Sequence, residues 1–273
     1  MSKDTPEFDP DRIFSNAEKR NIAENMLERY TGSAPEKFQK QILLTNFDYY
    51  MRQFKAITNT KLETKGSAMT AIHAPEHGVS LINFNIGAAS AALIIEILAT
   101  TEPKGVLLLG MCGGLHRSLK VGDFILPMAA IRNEGVSKNF MPPEVPALPT
   151  FKIQKFVSQI LVEHGLDYRT GVVHTTDYRF WEFNEEFKAQ LYAQRVLAIE
   201  METSALFVAG FASKVPIGAL LLVSDLPLRR DGIKTKVSAK KVFQEYTQLH
   251  INIGIRAMSE IAVRGETIRH YKW

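Results

Sequence analysis

Cysteine is all but missing from this chain of 273 residues: Cys112 stands alone. That rules out an intramolecular disulfide and any zinc cluster built on cysteines, and it fits a reducing compartment. No stretch sustains the roughly 18 apolar residues that a membrane span needs. The first residues, among them Ser2, Lys3, Asp4 and Glu7, lack the apolar run of a signal peptide, so a cytoplasmic location is the expectation. Repeats, low-complexity tracts and linker-like segments are also missing, and 17 Gly and 12 Pro are ordinary usage. Collagen-like, disordered and solenoid architectures therefore lose their support. Charge of either sign is scarce in excess: 33 Lys and Arg against 29 Asp and Glu leave +4, with no basic block. The densest cationic stretch, Arg229, Arg230, Lys234, Lys236, Lys240 and Lys241, contains Asp231 and suits a small anion better than a nucleic acid. The seven histidines (His73, His77, His116, His164, His174, His250 and His270) show no metal-ligand spacing, so no metal is expected.

With 45% hydrophobic and 23% charged residues, the chain can bury a substantial core. Residues 9–29 place Ile13, Ala17, Ile22, Met26 and Leu27 at helical spacing before a Thr31-Gly32 stop, which reads as a docking helix. Residues 41–46 read as a short buried strand, and 67–73 with 79–85 as a hairpin about Pro75-Glu76-His77-Gly78. A helix over 88–98 leads to the apolar run 105–109, which shows no alternation; the theme returns with a strand over 197–200, a helix over 203–213 and the run 217–224. Continuous apolar strands belong to sheets covered on both faces. The pattern predicts an α/β fold with a central, mostly parallel or mixed sheet, an ordered loop over 142–149 and an amphipathic helix over 238–264.

In such sheets ligands bind beyond the carboxyl ends of the strands. Four places qualify: Thr45-Asn46; the glycines Gly110, Gly113 and Gly114, read as a turn after a strand; the carboxylates Glu200 and Glu202; and Ser224-Asp225. The glycine spacing fits neither a P-loop nor a dinucleotide fingerprint. Asp225 ends a buried run, where a carboxyl group serves either as a proton donor with raised pKa or as a turn cap. Of Glu200 and Glu202, two apart at a strand-to-helix junction, one is expected to cap the helix and the other to face a cleft. Residues 175–182 gather Tyr178, Phe180 and Trp181 with Arg179 and two carboxylates, a set suited to a planar base and a phosphate, or to a plain aromatic cluster at the core edge.

Taken together these segments resemble the nucleoside phosphorylase and nucleosidase superfamily, and within it the AMP nucleosidase branch. The resemblance runs through LLLGMCGGL (107–115), VGDFILPMAAIRNEGVS (121–137), PPEVPALP (142–149), TTDYRFWE (175–182), AIEMETSALF (198–207), LLLVSDLPL (220–228) and HINIGIRA (250–257). It implies a single-domain, three-layer α/β/α fold with a central mixed β-sheet over 36–273, preceded by an N-terminal helical extension over 1–35. It implies hydrolysis of AMP to adenine and ribose 5-phosphate without a cofactor, in a homo-oligomer, up to a hexamer, with no nucleic-acid or membrane partner. Asp225 would protonate the departing purine at N7, and Glu202 would grip the ribose hydroxyls. Met201, Glu200, Gly113, Ser224, Thr45 and Asn46 would line the substrate site, with Phe180 or Trp181 stacking on adenine. The cations for the 5′-phosphate would come from Arg179, Arg229, Arg230 and Lys234. Where phosphorylases of the superfamily carry an Arg and a Ser for inorganic phosphate, this chain has Leu108 and Met111, so water is the expected nucleophile. At this length the resemblance implies a short form without the extra regulatory domain of longer bacterial members. Alternatives are a purine nucleoside phosphorylase or nucleoside hydrolase acting on unphosphorylated nucleosides, and a non-catalytic nucleotide-binding module.

Overall fold

The computed structural model describes residues 17–264. The expected helix over 9–29 is present as α1 (Ala17–Thr31), and its first part, residues 9–16 with Ile13, lies outside the described residues. There follow β1 (Gln41–Thr45), α2 (Asp48–Thr58), β2 (Leu62–Lys65), β3 (Thr70–Ala74), β4 (Val79–Asn83), α3 (Ala88–Leu98) and β5 (Gly105–Gly114). The second half contains β6 (Phe124–Asn133), α4 (Phe151–Glu163), β7 (Tyr168–Thr176), α5 (Glu185–Gln194), β8 (Ala198–Glu200), α6 (Thr203–Ala212), β9 (Ile217–Asp225) and α7 (Lys236–Arg264).

Among the described residues the strands form one mixed sheet in the order β2-β3-β4-β1-β5-β8-β7-β6-β9. β1 runs parallel to β4 and β5, and β7 is parallel to β6 and β8, whereas β5–β8 and β6–β9 are antiparallel. β9 also pairs with β5 in parallel, from Val106↔Ile217 onward, so β5, β8, β7, β6 and β9 close into a ring. The expected hairpin is β3–β4, turned by a short 3-10 segment at Pro75–His77 and by Gly78 in the left-handed region.

Helices cover both faces, as the unalternating apolar strands require. One face buries Leu27 of α1, Ile94 of α3 and Phe207 of α6 against Ile42, Leu108 and Leu221. The other buries Tyr50 and Phe54 of α2, Ile153 of α4 and Ile251 of α7 against Leu43, Leu107 and Leu220. Odd and even strand positions thus feed opposite layers. His250 belongs to the second layer. Its ring sits 2.8 Å from Tyr50 Oη and 3.0 Å from the Leu220 carbonyl oxygen, and burial pushes its pKa down to about 3. Among the described residues no helix is long and apolar enough to cross a membrane, and no group of three His, Cys, Asp or Glu is placed to hold a metal ion.

One expectation about local structure is corrected. β5 does not end at Leu109: Gly110, Gly113 and Gly114 continue the strand instead of forming a turn after it. Pairing with the long apolar β9 carries the ladder on, and the irregularity falls inside it, as a register shift between Cys112 and Gly113.

Candidate active site

The carboxyl ends of β1, β5, β7, β8 and β9 converge on a cleft of about 190 Å³, the place expected for a ligand in a sheet of this kind. Asn46, Phe47, Met111, Gly113, Trp181, Glu200, Met201, Glu202, Ser224, Asp225 and Lys234 are in its wall.

Glu200 and Glu202 divide their work by geometry. The Glu200 Oε2 accepts the backbone N–H groups of Glu202 (2.8 Å) and Thr203 (2.6 Å) at the start of α6, and its Oε1 accepts the Thr175 hydroxyl (2.5 Å). It is the helix cap, and these donors together with the positive end of α6 hold its charge. Glu202 turns the other way. Its Oε1 accepts the N–H of Gly87 at 2.8 Å, its Oε2 the N–H of Met201 at 3.3 Å, and the Asn46 side chain faces it. Gly87 stands at φ +99, a conformation that side chains rarely adopt, and this aims its amide at the carboxylate. Burial, followed by the neighbouring Glu200 charge, raises the Glu202 pKa to about 8. With more donors around Glu200, Glu202 is the member of the pair that takes up a proton first.

Asp225 ends β9. The Ser224 hydroxyl donates to its Oδ1 at 2.6 Å and lies 3.3 Å from the Cys112 carbonyl oxygen. Burial pushes the Asp225 pKa up, while the Ser224 hydroxyl, Lys234 and Arg179 pull it back. A carboxyl group whose pKa is raised in this way is better suited to donating a proton than an exposed aspartate. Lys234 reaches in from the segment before α7. Its ammonium is 3.5 Å from Met111 Sδ and lies over the rings of Phe47 (5.5 Å) and Phe243 (5.8 Å), and it has no carboxylate within ion-pair distance among the described residues. Burial lowers its pKa, and Asp225 opposes that shift. The Cys112 thiol is buried and pushed up, so it stays protonated.

Tyr178, Arg179, Trp181 and Glu182, from the segment after β7, form the remaining wall. Asp177 accepts the Gly135 N–H (2.8 Å), Trp181 is buried beside Phe187, and Asn184 caps α5 by accepting the Phe187 N–H (3.0 Å). Arg179 donates to Glu182 Oε1 at 2.5 Å; the Glu182 side chain is only 4% exposed and its Oε2 has no hydrogen-bond partner among the described residues. The PPEVP segment is held from the sheet. Arg132 of β6 donates to the carbonyl oxygens of Met141 (2.8 Å), Pro142 (2.5 Å) and Val145 (2.7 Å).

The structure brings most of the sequence-derived candidates into the cleft and leaves four outside it. Phe180 is 66% exposed, while its neighbour Trp181 is the ring that turns inward. Thr45 is wholly buried in β1 behind Asn46. Arg229 is spent on the Arg117 and Leu119 carbonyl oxygens, 2.9 Å each, and Arg230 is solvated beside Asp231. Both line an adjoining cavity of about 360 Å³ against α7, which shares Ser224 and Asp225 with the cleft. Glu182, Met111 and Phe47 are cleft residues to which sequence reasoning gave no substrate role. A carboxylate next to Trp181 in the TTDYRFWE segment was the available signal for Glu182.

Comparison with known proteins agrees with this architecture. Residues 42–258 match the family model described as the phosphorylase superfamily. AMP nucleosidase of Escherichia coli K12 is 30% identical over 97% of this chain, which spans about 64% of that protein's length. The crystal structure of an AMP nucleosidase from Bacteroides thetaiotaomicron VPI-5482 superposes with a TM-score of 0.79 at 38% identity, covering 90% of this chain and 99% of that one. A uridine phosphorylase from Vibrio fischeri ES114 shares the fold, with a TM-score of 0.74 at 21% identity over 88% of this chain and 99% of its own. On the family match and on the identity across nearly the whole Bacteroides chain, this chain belongs to the phosphorylase superfamily.

Proposed function

We propose that this chain hydrolyses the N-glycosidic bond of AMP, releasing adenine and ribose 5-phosphate. The observation that carries the reading is a pair of carboxyl groups, Glu202 buried and Asp225 half-buried, facing one cleft from different strand ends. Breaking the C1′–N9 bond leaves positive charge on the sugar and sends the bonding pair into the purine. Asp225, whose hold on a proton partial burial strengthens, gives that proton to N7 of the leaving base. Glu202 accepts the ribose hydroxyls, and its ionised form, which becomes populated as pH approaches its pKa of about 8, stabilises the cationic sugar. Water supplies the oxygen that bonds to C1′, and the proton it loses restores Asp225 over the cycle. Trp181 offers the face for adenine, and Met201 lies against the sugar.

Water is favoured over inorganic phosphate because Leu108 belongs to the core and the Met111 sulfur faces the Lys234 ammonium. A nucleotide is favoured over a nucleoside because Lys234 is a half-buried cation in the cleft with no carboxylate within ion-pair distance among the described residues, suited to the 5′-phosphate, whereas Arg179 is already neutralised by Glu182. Similarity to proteins described as AMP nucleosidases supports the same substrate. Product analysis with AMP and with adenosine, each with and without inorganic phosphate, tests the reading. Adenine and ribose 5-phosphate from AMP at a rate independent of phosphate is expected; ribose 1-phosphate from adenosine overturns it.

The protein is proposed to work in the cytoplasm as a homo-oligomer. Ile22 of α1, Leu148 of the PPEVPALP loop and Phe151 of α4 are more than half exposed and offer apolar contact surface. Light scattering on active enzyme is expected to give a multiple of the monomer mass, and a fully active monomer would refute it.

A further inference from the structure

Ser224 is the one residue of β9 without a counterpart on β5. Val223 pairs with Cys112 and Asp225 with Gly113, so the register shift at Cys112 and Gly113 makes Ser224 the extra residue of a bulge. In a regular strand neighbouring side chains point to opposite faces, and residues 224 and 225 would be separated by the sheet. Here they meet. The hydroxyl of Ser224, a residue only 3% exposed, donates to Asp225 Oδ1 at 2.6 Å, and the Cys112 carbonyl oxygen lies 3.3 Å from the same hydroxyl. A serine has one proton to give, and the shorter distance assigns it to the carboxyl group. Bulges are concentrated where a side chain has to be re-aimed, and this one joins a buried hydroxyl to the carboxyl group at the strand end.

Under the function proposed above, on which this inference rests, Asp225 acts by giving up a proton, and the serine bears on both halves of that act. An oxygen that accepts a hydrogen bond this short is the carbonyl oxygen of the acid, so the proton stands on Oδ2. When that proton leaves, Oδ1 becomes a charged acceptor, and hydrogen bonds to charged acceptors are roughly twice as strong as neutral ones. The Ser224 bond therefore tightens as the C1′–N9 bond breaks, which lowers the barrier and not only the binding energy. We propose that Ser224 is a positioning residue: it keeps the Asp225 proton on the oxygen it does not itself hold, and it stabilises the carboxylate left behind. It works through Asp225 and needs no contact with AMP. Asp225 shares the cleft wall with the charged groups Lys234, Arg179, Glu200 and Glu202 and with the Cys112 thiol, and the adjoining cavity with Arg229, Lys241 and Glu245. Ser224→Ala removes none of these, so a change in pH dependence reads the serine.

The test compares Ser224→Ala with the parent and with Ser224→Thr, which keeps a hydroxyl. With AMP the alanine variant should lose about tenfold in kcat while KM changes less than about twofold, the difference between a charged and a neutral acceptor. Adenosine should show the same factor, since the base leaves both substrates in the same way. The decline of kcat at high pH should move to higher pH, because the lost donor no longer pulls the Asp225 pKa down. Threonine should bring rate and pH profile back toward the parent. A serine that bound substrate would raise KM at unchanged kcat, and one that only held the fold would lower activity without moving the pH profile; either result overturns the proposal. Infrared spectroscopy of the ligand-free protein reads the same bond without turnover. The C=O stretch of protonated Asp225, identified by its absence in Asp225→Asn, should rise in frequency in Ser224→Ala and titrate at higher pH. If AMP is not hydrolysed, that change still supports Ser224 as the holder of the Asp225 proton while the hydrolysis reading falls; an unmoved band sinks the proposal whatever the substrate.

Discussion

Replacing Glu202 by Gln should make the ligand-free protein more stable at neutral and alkaline pH while removing its hydrolytic activity. In the folded state burial and the Glu200 charge lift the Glu202 pKa to about 8. In the unfolded chain it titrates near the ordinary value of about 4.3. Between these values the folded state binds the proton that the unfolded state has released. Stability conferred at low pH is therefore lost as pH rises, by up to about 1.4 kcal/mol per pH unit, and the loss is complete above the folded pKa. Glutamine carries no such slope. Its oxygen can still accept the Gly87 N–H, and the contact at risk is the 3.3 Å bond from the Met201 N–H, worth about 1 kcal/mol. Urea unfolding of parent and variant should give curves that draw apart by about 2 to 3 kcal/mol between pH 6 and pH 8, with the variant on top. Titrations of groups remote from the pair are common to both proteins and cancel. Burial raises the Glu200 pKa as well, and its three donors oppose that shift. If the stability difference is flat with pH, or if the variant becomes the less stable partner as pH rises, the buried pair is not charged as argued here.

Asp225→Asn, nearly isosteric but without a carboxylic proton, should lower AMP turnover at least about a hundredfold while AMP binding survives; a change of a few-fold in steady-state kinetics would reduce Asp225 to a turn cap. Because the acid acts protonated, kcat of the parent should decline as pH rises through the raised Asp225 pKa, and the asparagine variant should lack that limb. Lys234→Met should cost about tenfold to a hundredfold in kcat/KM for AMP and only a few-fold for adenosine, the loss of one charge-assisted contact. It should also move the alkaline limb to higher pH, since the lost ammonium no longer pulls the Asp225 pKa down; equal losses on both substrates would refute a phosphate role.

The parts of the fold legible in the sequence are those in which one physical signal dominates. α3 is an uninterrupted run of good helix formers, β9 a run of apolar residues without alternation, and Pro75 with Gly78 a turn that allows few alternatives. β6 and β7 escaped a strand assignment. β6 carries Pro127 in its interior, where the register against β7 shifts, and the first half of β7 is largely exposed, so neither shows a clean period. The closing of the sheet between β5 and β9 depends on pairing distant in sequence, to which local pattern is blind. At the site, the contrast between a capping and a cleft-facing glutamate followed from their spacing. Which cations reach the cleft did not. Arg229 and Arg230 sit next to Asp225 in sequence yet turn away, because a tight turn, with the Arg229 N–H on the Leu226 carbonyl oxygen and the Gly232 N–H on the Arg229 carbonyl oxygen, reverses the chain. Lys234, four residues on, is returned to the cleft by that reversal.

The ring formed by β5, β8, β7, β6 and β9 separates two kinds of change in this protein. Gly113, Glu200 and Asp225 lie on mutually hydrogen-bonded strand ends, with Gly113 paired to both Ile199 and Asp225, so their spacing is a property of the ladder and cannot be altered at one position without disturbing its neighbours. Arg179, Trp181 and Glu182 ride on a short connection between β7 and α5, fastened at Asp177 and Asn184 and otherwise free of the ladder. A substitution in that connection reshapes one wall of the cleft and leaves Glu200 and Asp225 where they were. Under the proposed function, bond cleavage and choice of base are then mechanically uncoupled, and a scaffold built this way can acquire a new preference among bases through a handful of residues without relearning its chemistry.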